Sequence, residues 1–446
     1  MSLKVIELND VSLQVGDAAG VAAAGPGFAL LEGREVTLGA AAEQQHRIYP
    51  TSSYDKFWHE LNMEPLHVRG RIRHHADLAY SQLLELAREA DIEDQVLLAV
   101  PGHYNNQQLG LLLGLASQCP FRVGGMVDSA LAAASLTDKH TSGEHIVHAG
   151  LHLHQVLLTR LIRKDGELAV DNVVPVPQLG RQQLLDVLMR IANDAFIRQC
   201  RFNPQHEAAS EQELYSMLAV WIGEKGDEQG NLEMELKAGA ITHTAKLPRD
   251  QLLAGLQKSY DKLLRSLRPL TELPGAGILL DHRLALLPGA VAALGEAGPL
   301  QVARPEAVTE ACLRHHELIA GGEGVHRIRA LPDLDSPGEG AESRAGRNAP
   351  THVLFRNRAM PVADLPLVNN LNGSGGNALE FDLPGPSTTL GRILRKQSAV
   401  MLDCGDIEFR LNDVPVKGRQ PLKLGDRIRF PELADELLMI EVNDGR

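Results

Sequence analysis

Aromatic residues are scarce in this 446-residue chain, 4% of the total with only two tryptophans. So few rings leave little material for the stacking platforms that hold single-stranded nucleic acid. Positive charge is in deficit too: 57 Asp and Glu against 44 Lys and Arg give a formal charge of −13. That field repels phosphate backbones and anionic lipid, so neither nucleic acid nor a membrane surface is an expected partner. No apolar run reaches the ~20 residues of a membrane-spanning helix. The opening MSLKVIELND has charges where a signal peptide has its apolar centre, which points to the cytoplasm. Cys119, Cys200, Cys312 and Cys404 lie far apart with no CxxC pair, as free thiols in a reducing compartment do.

What is present is ordinary globular material, 44% apolar and 23% charged, in a length that suits two or three domains. Residues 96–135 organise the pattern. Val96–Val100 is a short apolar run stopped by Pro101-Gly102, which predicts a buried strand. Asn105 or Asn106 caps the next helix, whose apolar face is Leu109, Leu112, Leu113 and Leu115. Phe121–Val127 is a second strand, and Asp128-Ser129 cap the small helix Ala130–Ala134. Strand and helix alternating over short joints predict parallel strands with a right-handed crossover.

Upstream, Lys4–Glu7 and Val11–Val15 read as a hairpin turning at Leu8–Asp10, and Phe28–Leu31 with Glu35–Leu38 as another around Glu32-Gly33. A short helix over Ala40–Arg47 and an amphipathic one over Ala76–Ala90 follow. Glu144–Asn172 repeats the strand–turn–strand pattern after about 140 residues, a weak internal repeat. Then come a long helix in Gln178–Pro204, helical Glu211–Ile222, short strands in Glu224–Leu247 around a polar turn at 226–230, and an amphipathic helix over Pro248–Leu267. Pro288 opens a helix to Leu294, and Pro305–Ile319 is helical. Leu331–Pro350 is a Pro/Gly/Ser-rich linker, and Thr351–Arg446 reads as short strands punctuated by turns.

Val100-Pro101-Gly102-His103-Tyr104-Asn105, followed by Val123–Ala134, resembles a segment of the seventy-kilodalton heat-shock (DnaK-type) chaperone ATPase domain. VIELNDVSLQV, Gly25–Pro50, Glu144–Asn172, Gln178–Pro204, Pro248–Leu267, Gly277–Gly289 and Pro305–Ile319 resemble other segments of that family in the same order, covering about Lys4–Gly322. The resemblance implies an α/β, two-lobed actin-like (ribonuclease H-like) ATPase fold over residues 1–330, with lobe I to about 143 and lobe II from 144. A linker at 331–350 and a small all-β module at 351–446 would complete the chain.

The resemblance also locates a nucleotide cleft, and this sequence departs from the family there. Glu7 keeps a carboxylate near the family's Asp, but Asn9 and Asp10 replace the Gly and Thr of the first phosphate turn. An anionic side chain about 4 Å from a phosphate costs on the order of 4 kcal/mol at an effective dielectric of 20. Asp128 stands for the cleft Glu, and Lys56 falls where a catalytic Lys-Arg pair occurs. His148 stands where the Mg²⁺-organising Asp belongs; Gly150 is kept, while Leu151 and His152 replace the next two glycines. Forcing such residues into left-handed backbone costs about 1–2 kcal/mol each, so the second turn is expected to differ in shape. Asp281-His282 occupy the Gly-Gly pair that lies against adenine and ribose.

The expectation is a protein with catalysis and ATP binding lost or much weakened, no cofactor being assigned to it, that serves interaction or regulation through an unidentified protein partner. The alternative is a divergent ATPase using ATP and Mg²⁺, with Glu7, Asp128 and Lys56 in catalysis and His148 and His152 on the phosphates. His145, His148, His152 and His154 invite a metal reading, with His152 and His154 on one strand face. No cysteine or acidic partner stands at zinc spacing, so a polar cleft strand without metal is expected. In the last segment TTLGR, FRLNDVPV and PLKLGDRIRF resemble a forkhead-associated-type sandwich without its Ser-x-x-His signature. Arg392 and Asn412 are the positions that resemblance offers for phosphothreonine. A degenerate sandwich used for protein contact is expected.

Overall fold

The computed structural model describes residues 3–66, 72–137, 143–225, 231–321, 324–332, 350–356, 358–362, 364–369, 378–381, 388–396, 399–405, 407, 409–411, 414–422, 426–430 and 436–440. The polar turn expected at 226–230, nearly all of the linker expected at 331–350, and Asn412 lie outside them. The chain is mixed α/β and divides into two compact units, Met1–Asp335 and Ser336–Arg446. Among the described residues no helix is long and apolar enough to cross a membrane.

The first unit is built on two six-stranded sheets. One contains β1 (Lys4–Glu7), β2 (Leu13–Asp17), β3 (Gly20–Gly25), β7 (Gln95–Val100), β8 (Arg122–Asp128) and β16 (Arg327–Ile328), in the order β16-β8-β7-β1-β2-β3. The other contains β9 (His145–Leu151), β10 (Gln155–Lys164), β11 (Glu167–Pro177), β14 (Ala276–Leu280), β15 (Leu300–Val302) and β17 (Ala330–Pro332), in the order β15-β14-β9-β10-β11-β17. Five strands of each follow one plan. An antiparallel meander comes first (β1-β2-β3; β9-β10-β11), and two parallel strands are then added beside its first strand. The faint repeat in the sequence is therefore a repeat of topology.

The central parallel strands are apolar because both of their faces are covered. Val96–Val100 is buried throughout, as is every residue of β14. Helices α1 (Gly39–Glu43), α2 (His75–Glu89), α3 (Asn106–Ala116) and α4 (Ser129–Ser135) belong to the first sheet's half. Asn105 caps α3 in a reciprocal pair with Gln108, and Asp128 caps α4. The second half carries α5 (Arg181–Cys200), α6 (Ala208–Lys225), α7 (Arg249–Thr271), α8 (His282–Ala285), α9 (Ala290–Leu294), α10 (Ala307–Arg314) and α11 (His316–Ile319). The helix expected over Pro305–Ile319 is thus broken at His315, whose φ of −100° and ψ of 18° leave the helical basin.

Two small sheets decorate these halves: β4 (Ala29–Glu32), β5 (Glu35–Leu38) and β6 (Ser53–Tyr54) in the first, and the hairpin β12 (Leu232–Ala238) with β13 (Ile241–Leu247) in the second. Each main sheet has its own core. A third core joins the two through the alanine-rich α4, where Leu131–Ala134 pack with Val5, Leu97, Ile146, Leu279, Ala311 and Cys312. Small side chains there let backbones from both sheets approach closely.

Among its described residues the second unit is all-β. One sheet runs Arg358–Pro361, His352–Phe355, Glu436–Ile440, Arg427–Arg429, Phe409–Leu411, Val414–Val416, and the other Leu379–Phe381, Asp364–Asn369, Thr388–Lys396, Ala399–Asp403, Arg419–Leu422. Both sheets contribute to a single apolar core around Phe381, Ile393, Phe409 and Ile428, as in a sandwich.

Candidate functional site

β1 and β9 hold equivalent places in their sheets, and the turns that leave them are bonded to each other. Asn9 folds its own turn by accepting the Val11 N–H at 3.0 Å, and its amide donates across to the Leu151 carbonyl at 3.1 Å. Asp10 Oδ1 accepts the Leu153 N–H at 2.9 Å and His152 Nδ1–H at 3.1 Å. Burial alone would raise the Asp10 pKa. The His152 and Leu153 hydrogen bonds outweigh it and hold the carboxyl below its usual range.

No residue of either turn takes a positive φ. The second turn accommodates Leu151 and His152 because its backbone needs no left-handed residue, whereas the glycines of the resembled family would allow one. Glycine is required a little farther on. A Cβ on Gly180 would lie 2.3 Å from the Leu153 carbonyl oxygen and 2.4 Å from the His154 and Gln155 nitrogens. β9 ends at Leu151, so His152 and His154 sit in the turn rather than on one strand face as the alternation had suggested. His152 turns to Asp10. His154 Nε2–H donates to the Asp55 carbonyl at 3.0 Å.

Below the turns lies a buried cation. Arg283, on α8, donates to Glu7 Oε1 at 3.0 Å and lies 3.4 Å from Asp281 Oδ2, joining the end of β1 to the residue that follows β14. Asp281 Oδ1 also caps α8 through the Arg283 N–H at 2.8 Å. Burial opposes ionisation of Asp281, but the Arg283 and His282 charges prevail and its pKa is lowered. All three partners are at least nine-tenths buried, so each charge depends on the others.

Above the turns, a third set of bonds crosses between the halves. Glu43 at the end of α1 accepts from Arg181 at 2.5 Å and from the Tyr215 hydroxyl at 2.8 Å. Arg47 pairs with Asp186, and its N–H donates to Gln212 at 2.8 Å. His46 packs edge-on against Tyr215, with ring centroids 4.3 Å apart.

Between these contacts remains a cavity of about 30 Å³, lined by Glu7, Asn9, His148, Gly150, His152, Asp281, His282, Arg283 and Arg304 among others. That volume holds a water or two. Of the candidate positions, Glu7, Asn9, His148, Gly150, His152, Asp281 and His282 line it, and Asp10 is bonded to the lining residue His152. Burial lowers the pKa of His148, keeping it neutral, and Gly150 leaves room for its ring: a Cβ there would lie 3.1 Å from His148 Cε1.

Two candidates fall elsewhere. Asp128 is fully buried, but its Oδ1 caps α4 and its Oδ2 receives Arg327 at 2.5 Å. Lys56 is 56% exposed beside Glu60 and does not line the cavity. In the second unit, Arg392 lies 3.2 Å from Asp364 on the exposed face.

Arg283, Glu43 and Arg181 are not identified as site residues from the sequence. Arg283 did leave a signal, a cation placed three residues beyond an apolar strand. The others depend on pairings far apart in the chain, for which no local pattern exists. Among the described residues no group of three His, Cys, Asp or Glu side chains is arranged to hold a metal ion. No protein-family model and no curated protein matches the chain.

Proposed function

We propose that the first unit is a two-lobed actin-like fold of the DnaK type whose cleft is closed by its own side chains, and that it works without catalysis as an interaction or regulatory protein. The repeated five-strand plan supports the two-lobed reading. The observation that carries the loss of catalysis is the Asp10–Leu153 hydrogen bond. In the resembled family the two turns grip a triphosphate between them. Here a carboxylate from one turn takes an N–H of the other directly, so the anion that joins the turns belongs to the protein.

The groups present do not suit a nucleotide. The cavity is an order of magnitude below the 300 Å³ or more of ordinary ligand pockets. Arg283, which lines it, is already matched by two carboxylates, and a phosphate there would meet Glu7 and Asp281 at close range. The β-sandwich of the second unit is read as a protein-contact module. Four unpaired cysteines agree with the proposed cytoplasmic setting.

Thermal denaturation with and without millimolar Mg·ATP tests the proposal. A ligand present at 100 times its Kd adds about 2.7 kcal/mol, or about 4 °C for a unit of this length at ~2.1 cal/mol/K of unfolding entropy per residue. The expected result is an unmoved transition and no phosphate release. A clear shift with phosphate release would establish the divergent ATPase instead.

A further inference from the structure

Four imidazoles meet where the two halves touch, two from each half. His59 and His103 belong to the first; His152 and His154 lie in the turn after β9. Their rings form a chain, with centroids 5.8 Å apart for His154–His59, 6.1 Å for His59–His103 and 5.7 Å for His103–His152. Two carboxylates pair with them: Asp10 with His152, and Asp55 with His154 at 3.4 Å. His59 and His103 have no such partner. Both ring nitrogens of His103 and Nδ1 of His59 are buried without a hydrogen bond.

The other charges facing the cluster do not change that count. Arg327, held by the Tyr104 carbonyl and Asp128, adds positive charge beside His103. Glu60 acts weakly on His59 from an exposed position near Lys56. Gln183 Nε2 lies 3.5 Å from His154 Nδ1 and carries no charge.

We propose that this cluster makes the contact between the halves a proton-operated latch: protons taken up by His59 and His103 part the halves and uncover the turns at Asn9–Asp10 and Leu151–Leu153. Four imidazoles share two carboxylates, so a third and a fourth cation would have no counter-charge while the contact stays shut. Separation lets water solvate them. The latch rests on the geometry of the contact and stands whether or not ATP binds.

The direction follows from linkage. Burial, reinforced by His152, lowers the His103 pKa to about 3, and burial lowers that of His59. Once the halves part, both return toward about 6.5. Below that pH the parted form binds more protons, so the ratio of shut to parted falls by up to about tenfold per pH unit for each histidine. His154 works the other way. Burial lowers its pKa but the Asp55 hydrogen bond raises it further, so its support for the shut form grows as pH falls toward about 6.5 and is complete and constant below. The latch is therefore tight near neutrality and loosens under mild acid.

Hydrogen–deuterium exchange of the full chain in EDTA, at pH 7.5, 6.5 and 5.5 and corrected for the intrinsic pH dependence of exchange, reads the latch. The Leu153 amide, bonded to Asp10, should lose about 10-fold to 100-fold in protection between pH 7.5 and 5.5, while Val96–Val100 stays protected. In the variant carrying His59→Gln and His103→Gln that response should flatten. Constant Leu153 protection in the wild type overturns the proposal, and so does an undiminished response in the variant. Should the variant fail to fold, the wild type still decides: simultaneous loss at Leu153 and Val96–Val100 means global acid unfolding and no latch.

Discussion

Asp10, in the turn after β1, accepts the backbone N–H of Leu153, in the turn after β9, at 2.9 Å, so a single carboxylate ties together equivalent points of two sheets. Asp10→Ala leaves that N–H and His152 Nδ1 buried and unpaired. The expected loss is roughly 2–4 kcal/mol in urea denaturation at pH 7.5. Asp10→Asn retains an acceptor and should lose about half as much. An Asp10→Ala protein within 0.5 kcal/mol of wild type would mean that the bond contributes nothing.

Arg283 holds Glu7 and Asp281 in a setting where none of the three is solvated. Arg283→Met should destabilise by about 3–5 kcal/mol, because it strands two buried carboxylates. Adding Glu7→Gln removes one stranded charge, so the double variant should be more stable than additivity predicts, by at least about 1 kcal/mol. Additive losses in the four-protein cycle would show that Glu7 and Arg283 do not act as a pair.

The contrast between legible and hidden parts has a physical basis. β7, α3, β8 and α4 were readable because each is a local signal: an apolar run, a capping Asn or Asp, a helical period. The hairpin that opens the first meander and its recurrence in the second were readable for the same reason; β3, Gly20–Gly25, was not. The pairing of Glu7 with Arg283 was hidden, since the two stand 276 positions apart and nothing local links them. In the sequence Asp10 is legible only as an anion that repels phosphate; its bond to the Leu153 N–H joins residues 143 positions apart and has no local signal. In the second unit, the strand Asp364–Asn369 escaped notice because Pro366 interrupts its pattern, although proline is tolerated in strands at particular positions.

Gly180 offers a steric test of the second turn. Its φ of −86° suits any residue, so a substitution there acts through contact alone. In Gly180→Ala the added methyl meets three backbone atoms at 2.4 Å or less, and none can yield without moving the turn. Overpacking of this kind costs typically about 1–3 kcal/mol. Gly110, inside α3 with nothing within 4 Å of its virtual Cβ, is the control: Gly110→Ala should stabilise by about 0.5–1 kcal/mol. Equal effects of the two substitutions would mean that the close approach at Gly180 does not exist.

His103 and His154 lie in one cluster yet should respond oppositely to acid. Burial depresses the His103 pKa to about 3, so its folded-state contribution is present above about pH 6.5 and is lost progressively as pH falls. The His154 pKa is raised, burial being overcome by Asp55, so its contribution is complete below about pH 6.5 and is lost as pH rises through the folded value. His103→Gln should therefore compare better with wild type at pH 5.5 than at pH 8. His154→Gln should compare worse at pH 5.5 than at pH 8. Denaturation midpoints of the three proteins at both pH values decide the matter, and if both variants shift in the same direction with pH, the opposed environments assigned to the two rings are wrong.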